Sequence, residues 1–219
     1  MTQTTTLLIA RHGNTFRPEE TPTRVGARTD LDLVPTGEDQ AHELARYLAE
    51  FRLIPDVIFT SYLKRTIQMA EIICDDLDID PEIIPEAAFN EIDYGPDENK
   101  TEEEVIARLG LDALKKWDLD AVVPDGWIVH PEGIIQSWAD FAADIEEDFA
   151  GQNVLVITSN GIARFAPYLT GDFNSFKEKH GIKIATGALC VLNKIDSDAH
   201  WTVDGWNIRP KKVLDAKTA

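Results

Sequence analysis

Arg11-His12-Gly13-Asn14-Thr15, Ser61 with Arg65, Ser159-Asn160-Gly161 and Glu91 stand out in this chain because they combine a nucleophile, cations, short hydrogen-bond donors and a carboxyl group. Neutral imidazole held by a partner is a nucleophile near pH 7, and arginine offers a planar fork of N–H donors to an oxyanion. Transfer of a phosphoryl group needs an in-line nucleophile, donors around three oxygens and an acid for the leaving oxygen. His12, the arginines and Glu91 supply all three.

The surrounding pattern says how these segments meet. Thr5 to Ala10 is short, β-branched and apolar and stops at Arg11-His12-Gly13, which predicts a buried strand ending in a polar turn. Val57 to Ser61 and Asn153 to Thr158 read the same way. The first is followed by the helical stripe Leu63, Ile67, Ala70, Ile73 and Leu77, the second by a helix from Ile162 to Leu169. In an open parallel sheet, ligands bind just beyond the C-terminal strand ends, so the three polar segments converge on one edge.

The other elements fit that plan. Thr36-Gly37-Glu38-Asp39 opens a helix, and residues 16–34 read as a long functional loop. Glu82 to Pro85 is a short strand, and Phe89 to Gly95 an acidic loop. Thr101 caps a helix to about Leu109, with a second near Leu111 to Trp117, loop from Val122 to Glu132, and an amphipathic helix from Ile134 to Phe149. Gly187 to Lys194 and His200 to Trp206 form a hairpin at the sheet edge. The expected fold is a three-layer α/β/α sandwich with a mostly parallel, doubly wound sheet and an antiparallel edge. It occupies one domain, residues 1–210, followed by a flexible tail over 211–219.

The 219 residues carry a formal charge of −18, from 39 acidic and 21 basic side chains. A surface of that sign repels nucleic acid and anionic lipid, so neither is an expected partner. A phosphorylated substrate would have to be held by locally concentrated arginine. Met1 to Thr6 shows no basic stretch leading into an apolar one, and no apolar run is long enough to span a membrane. Cys74 and Cys190 are expected as buried thiols, which suits a cytoplasmic setting.

Leu8-Ile9-Ala10-Arg11-His12-Gly13-Asn14-Thr15 resembles the Arg-His-Gly signature of the histidine phosphatase superfamily, which includes the phosphoglycerate mutases. Gly26 to Asp30 with Leu33 to Gly37 resembles that family's glycine-to-aspartate loop. Ser61 to Ala70 resembles its second phosphate-binding segment, with Tyr62 where proline is usual, and Asn90 to Gly95 its acidic loop. The matches keep the family's order from residue 7 to about 195. The resemblance implies a phosphohistidine at His12 and phosphoryl contacts from Arg11 and Arg65, with Asn14 and Thr15 in the same pocket. It implies Glu91 as general acid and then base, with Asp93 next in line. It implies a small phosphorylated substrate, no cofactor and no metal; a homodimer is left open.

One departure stands out: the family's fourth motif has histidine before glycine, where this chain has Asn160. Asparagine donates a neutral hydrogen bond to the phosphoryl group but carries no charge. Three readings follow. The first is a metal-independent phosphomonoester hydrolase, the second a phosphate-binding module with little turnover. The third, a phosphoglycerate-type mutase, is disfavoured because no long substrate-closing insertion is evident. His130 or His180 is an alternative source of the missing imidazole, while Trp117, Trp127 and Trp138 read as core or lid packing.

Overall fold

A computed structural model describes residues 3–218. Its strands are β1 (Thr4–Arg11), β2 (Val57–Thr60), β3 (Ile83–Pro85), β4 (Asn153–Thr158), β5 (Leu189–Ile195) and β6 (Thr202–Ile208). Its helices are α1 (Pro35–Glu50), α2 (Lys64–Leu77), α3 (Glu102–Leu109), α4 (Leu111–Asp120), α5 (Pro131–Asp148), α6 (Asn160–Ala163), α7 (Phe173–His180) and α8 (Pro210–Thr218). The strands form one sheet in the order β3-β2-β4-β1-β5-β6. β3, β2, β4 and β1 pair in parallel, and β5 and β6 run antiparallel at the other side.

Both faces of the central strands are apolar, so each needs a helical layer. Leu7, Ile9, Val154 and Val156 face a core shared with Val105, Trp117, Trp138, Phe141 and Ile162, from α3 to α6. Leu8, Ala10, Leu155 and Ile157 face the other core with Leu44 and Leu48 of α1 and Met69 and Ile73 of α2. The three-layer α/β sandwich and its mostly parallel sheet match expectation. Cys74 and Cys190 are free and buried, and no helix of the described residues is long and apolar enough to cross a membrane.

Three segments differ from the sequence reading. The helix expected over 162–169 is split into α6 and a 3-10 turn at Ala166–Thr170. Pro167 has no N–H to extend an α-helix and its ring crowds the preceding turn. α7 was not anticipated; Asp172 caps it by accepting the Ser175 N–H at 3.0 Å, and its last turn is basic, as suits a helix C-terminus. The tail expected from residue 211 is instead α8, whose Val213 and Leu214 pack on the α1 side and whose Lys217 pairs with Glu50 at 2.8 Å. Ala219, like Met1 and Thr2 of the N-terminal stretch, lies outside the described residues.

The acidic loop carrying Glu91 is pinned by Asp97. This buried carboxylate receives the Arg108 guanidinium, with Nε at 2.7 Å, and the Trp127 indole N–H at 2.6 Å. Removing it strands two donors at once. Asp97→Ala is expected to destabilise the protein by about 3 kcal/mol, read from the midpoint of urea unfolding; a loss below about 1 kcal/mol would show that the cluster is dispensable.

Candidate active site

β1 and β4 end level, with Arg11 opposite Thr158, and β2 reaches the same edge with Thr60 opposite Ile157. The chain leaves β1 for α1 on one face of the sheet and β4 for α6 on the other. That reversal opens a crevice at the strand ends. The turn after β1 is drawn tightly onto the start of α1: a Cβ on Gly13 would stand 2.4 Å from Gly37 O, so no larger residue fits there. The Asn14 N–H then donates to Gln40 Oε1 at 2.8 Å, and Asn14 Nδ2 to Thr36 Oγ1 at 3.4 Å.

His12 is buried at the floor of this crevice. Its Nδ1 lies 2.8 Å from Gly13 O, and its Nε2 lies 3.2 Å from Arg65 Nε. A carbonyl only accepts and a guanidinium N–H only donates, so Nδ1 carries the proton and Nε2 carries the lone pair. Burial first, then the charges of Arg65 and Arg11, hold the ring's pKa well below the usual histidine value, against a smaller opposing effect from Gly13 O. The ring is therefore neutral near pH 7.

Arg65 is the second residue of α2 and is fully buried. Its Nη1 donates to Thr29 O at 2.8 Å and its Nη2 to Gly26 O at 3.5 Å. Glu98 fixes that carbonyl-bearing loop, taking the Gly26 and Arg28 N–H groups and the Thr29 hydroxyl. Arg11 donates from Nη1 to Ile184 O at 2.7 Å, and among the described residues its buried Nε has no partner. Among the described residues neither guanidinium is paired with a carboxylate. Burial lowers the pKa of both, with Glu91 acting in the opposite sense.

Glu91 is buried opposite, and burial raises its pKa above the usual carboxyl value despite hydrogen bonds and nearby arginines that lower it. Its Oε1 accepts the Ile92 N–H at 2.9 Å; its Oε2 accepts the Gly161 N–H at 3.2 Å and the Tyr94 hydroxyl at 3.4 Å. Gly161 is needed for that approach, since a Cβ there would stand 2.2 Å from Glu91 Oε1. Asn160 Oδ1 accepts the Ile184 N–H at 2.8 Å, which leaves its NH2 end as a donor without an acceptor among the described residues.

These groups line one cavity of about 640 Å³ that includes Arg11, His12, Asn14, Glu91, Asn160 and Arg164, with Thr15 on the same wall. Arg11, His12, Asn14, Thr15, Glu91 and Asn160, singled out in the sequence, therefore meet around one space, and Arg65 joins them through its contact with His12; Ser61, hydrogen-bonded to Thr66 at 2.7 Å, and Ser159 do not line it. Asp93 does not: it pairs with Arg28 at 3.0 Å outside the cavity. His130 precedes α5 and is exposed, and His180 rests against Phe176 at 4.9 Å, so neither supplies an imidazole here. Trp127 and Trp138 are core residues, whereas Trp117 is both core and cavity wall. Arg164 was missed. Its signal was its place one turn beyond Asn160 on a helix starting at the sheet edge.

Residues 7–209 match the sequence model of the histidine phosphatase superfamily (branch 1). A 2,3-bisphosphoglycerate-dependent phosphoglycerate mutase of Thermobifida fusca is 33% identical over 116 residues, a segment covering 51% of this chain and 45% of that protein. The chain thus spans about half the length of such relatives. A mycobacterial glucosyl-3-phosphoglycerate phosphatase superposes with a TM-score of 0.74 at 18% identity, covering 94% of this chain and 100% of the other. The alpha-ribazole phosphatase of Shigella flexneri gives 0.67 at 19% identity, over 93% and 96% of the two chains. At these identities the structural likeness is one of fold.

Proposed function

The chain belongs to the histidine phosphatase superfamily, and from that premise we propose that it hydrolyses small phosphomonoesters without a metal, through a phosphohistidine at His12. The observation that carries this reading is the pair of guanidinium groups, Arg65 fully buried and Arg11 half-buried, that among the described residues have no carboxylate partner and stand near a neutral imidazole. Burying an unpaired cation costs several kcal/mol. In a chain of charge −18, such a pair makes sense as a binding site for an anion.

In the resting protein the Arg65 Nε–H occupies the lone pair of His12 Nε2. An arriving phosphoryl group draws that N–H onto one of its oxygens and frees the lone pair, while Arg11, Asn14, Thr15 and the Asn160 amide surround the others. Nε2 attacks phosphorus, the bond to the alcohol oxygen breaks, and protonated Glu91 gives its proton to that oxygen. Glu91, now a carboxylate, takes a proton from water as the water oxygen attacks phosphorus. The P–Nε2 bond breaks, returning its electron pair to the ring and leaving inorganic phosphate and protonated Glu91. Incubation with a panel of phosphorylated metabolites in chelator should release phosphate; positional isomers without phosphate release would point to the mutase reading.

Asn160 favours a second reading, a phosphate-binding module with little turnover. Against it, the Asn160 side chain is already employed, fixing the Ile184 segment whose carbonyl holds Arg11. A pocket adapted in this way should not welcome a larger ring beside Arg11 and Arg164. Asn160→His is expected to lower single-turnover rates by about tenfold, the effect of modest overpacking. A gain above tenfold would mean that the site has lost a cation it needs.

A further inference from the structure

The reaction described above leaves Arg164 unused, yet few side chains in the molecule are more firmly held. It is 1% exposed, and its guanidinium stacks 3.9 Å over Trp117, which is itself packed edge-on against Trp127 at 5.3 Å. Nε donates to Asn160 O at 3.2 Å and Nη1 to Trp117 O at 2.6 Å. The fork is thus oriented before any ligand arrives, which lowers the cost of binding one.

Its other edge is open. Among the described residues Nη2 makes no hydrogen bond; the nearest carboxylate oxygen, Asp118 Oδ1, stands 3.9 Å away while Asp118 Oδ2 is taken by Lys183 at 2.7 Å. The neighbouring cavity cation Arg24 is occupied by Glu102 at 2.8 Å. Burial brings the pKa of Arg164 down to about 10, so it remains a cation at neutral pH. Arg164 holds the Asn160 carbonyl while the next residue, Gly161, donates its N–H to Glu91 Oε2 at 3.2 Å, so the guanidinium lines the side of the cavity where the leaving oxygen would be protonated. A fixed guanidinium with an unused donor edge, lining the cavity at that place, suits an oxyanion carried by the alcohol portion of a substrate.

We propose that Arg164 binds a second anionic group of the substrate, a carboxylate or a second phosphate, and so selects phosphoesters whose alcohol portion is itself charged. This rests on the phosphoryl-site reading, and the test separates the two. Calorimetry on the whole protein compares methylphosphonate with the acetate, propionate and butyrate phosphonates, with their carboxamides, and with bisphosphonates of the same spacers. At least one carboxylate or bisphosphonate should bind tenfold or more tightly than its carboxamide counterpart or methylphosphonate. Whichever series does so identifies the second group.

In Arg164→Gln the preference for the charged ligand over the carboxamide should fall below twofold, and in Arg164→Lys it should be intermediate, because a point charge keeps attraction but loses the fork. The wild-type comparison of carboxylate with carboxamide needs no variant and stands even if the glutamine form fails to fold. Equal binding of charged and amide ligands in every series, or a preference that survives Arg164→Gln, would overturn the proposal. No binding by methylphosphonate or by any other phosphonate would overturn the phosphoryl-site reading itself.

Discussion

His12→Ala is expected to lower phosphate release by about 10⁴- to 10⁶-fold, the scale on which removal of a covalent nucleophile acts when the rest of the site remains. The lone pair at Nε2 is the group in the floor of the cavity that the hydrogen-bond pattern keeps unprotonated. Arg11 and Arg65 keep their backbone anchors in the variant, so inorganic phosphate should still bind, as calorimetry would show. Were water instead to attack the ester directly, His12 would act as one more contact, and its loss would cost only about 10²–10³-fold. A residual rate in that range would remove the covalent step from the account.

Glu91→Gln is expected to slow esters of alkyl alcohols by about 10²- to 10⁴-fold, the usual contribution of a positioned acid. Nitrophenyl phosphate, whose leaving oxygen needs no proton, should still phosphorylate the protein. It should then show a burst of one nitrophenolate per chain, because water lacks its base in the second step. Equal slowing of both ester classes, without a burst, would place Glu91 outside proton transfer. The pH profile of kcat/KM follows from the same two groups. As pH falls through the depressed His12 pKa the ring gains a proton and loses its lone pair; as pH rises through the elevated Glu91 pKa the acid loses the proton it must give. The curve is a bell whose acid limb lies below the ordinary histidine range, and Glu91→Gln should erase the basic limb.

Much of this site is legible in the sequence because strands with apolar, β-branched cores announce themselves and stop abruptly at polar residues. β1, β2 and β4 are of this kind, and a parallel sheet gives their ends only one place to meet. The loop holding Arg65 is harder to read: Glu98 organises it through contacts to residues about 70 positions away, and nothing local marks that carboxylate among its acidic neighbours. Pro167, by contrast, was a visible signal that the helix after β4 could not run on. α8 looked like a tail because a short, lysine-rich helix becomes stable mainly by packing, here against α1, and such packing leaves little trace in periodicity. Arg164 escaped notice for a related reason: arginine on a helix is ordinarily a surface residue, and only tertiary packing puts this one against Trp117.

The central claim is the covalent bond to His12, and intact-mass measurement after a brief acid-free quench of Glu91→Gln with nitrophenyl phosphate tests it most directly. The account predicts an added mass of one phosphoryl group per chain, lost on acidification and absent from the His12→Ala, Glu91→Gln double variant. Nitrophenolate released without any such adduct, or an adduct that persists when His12 is replaced, would contradict it.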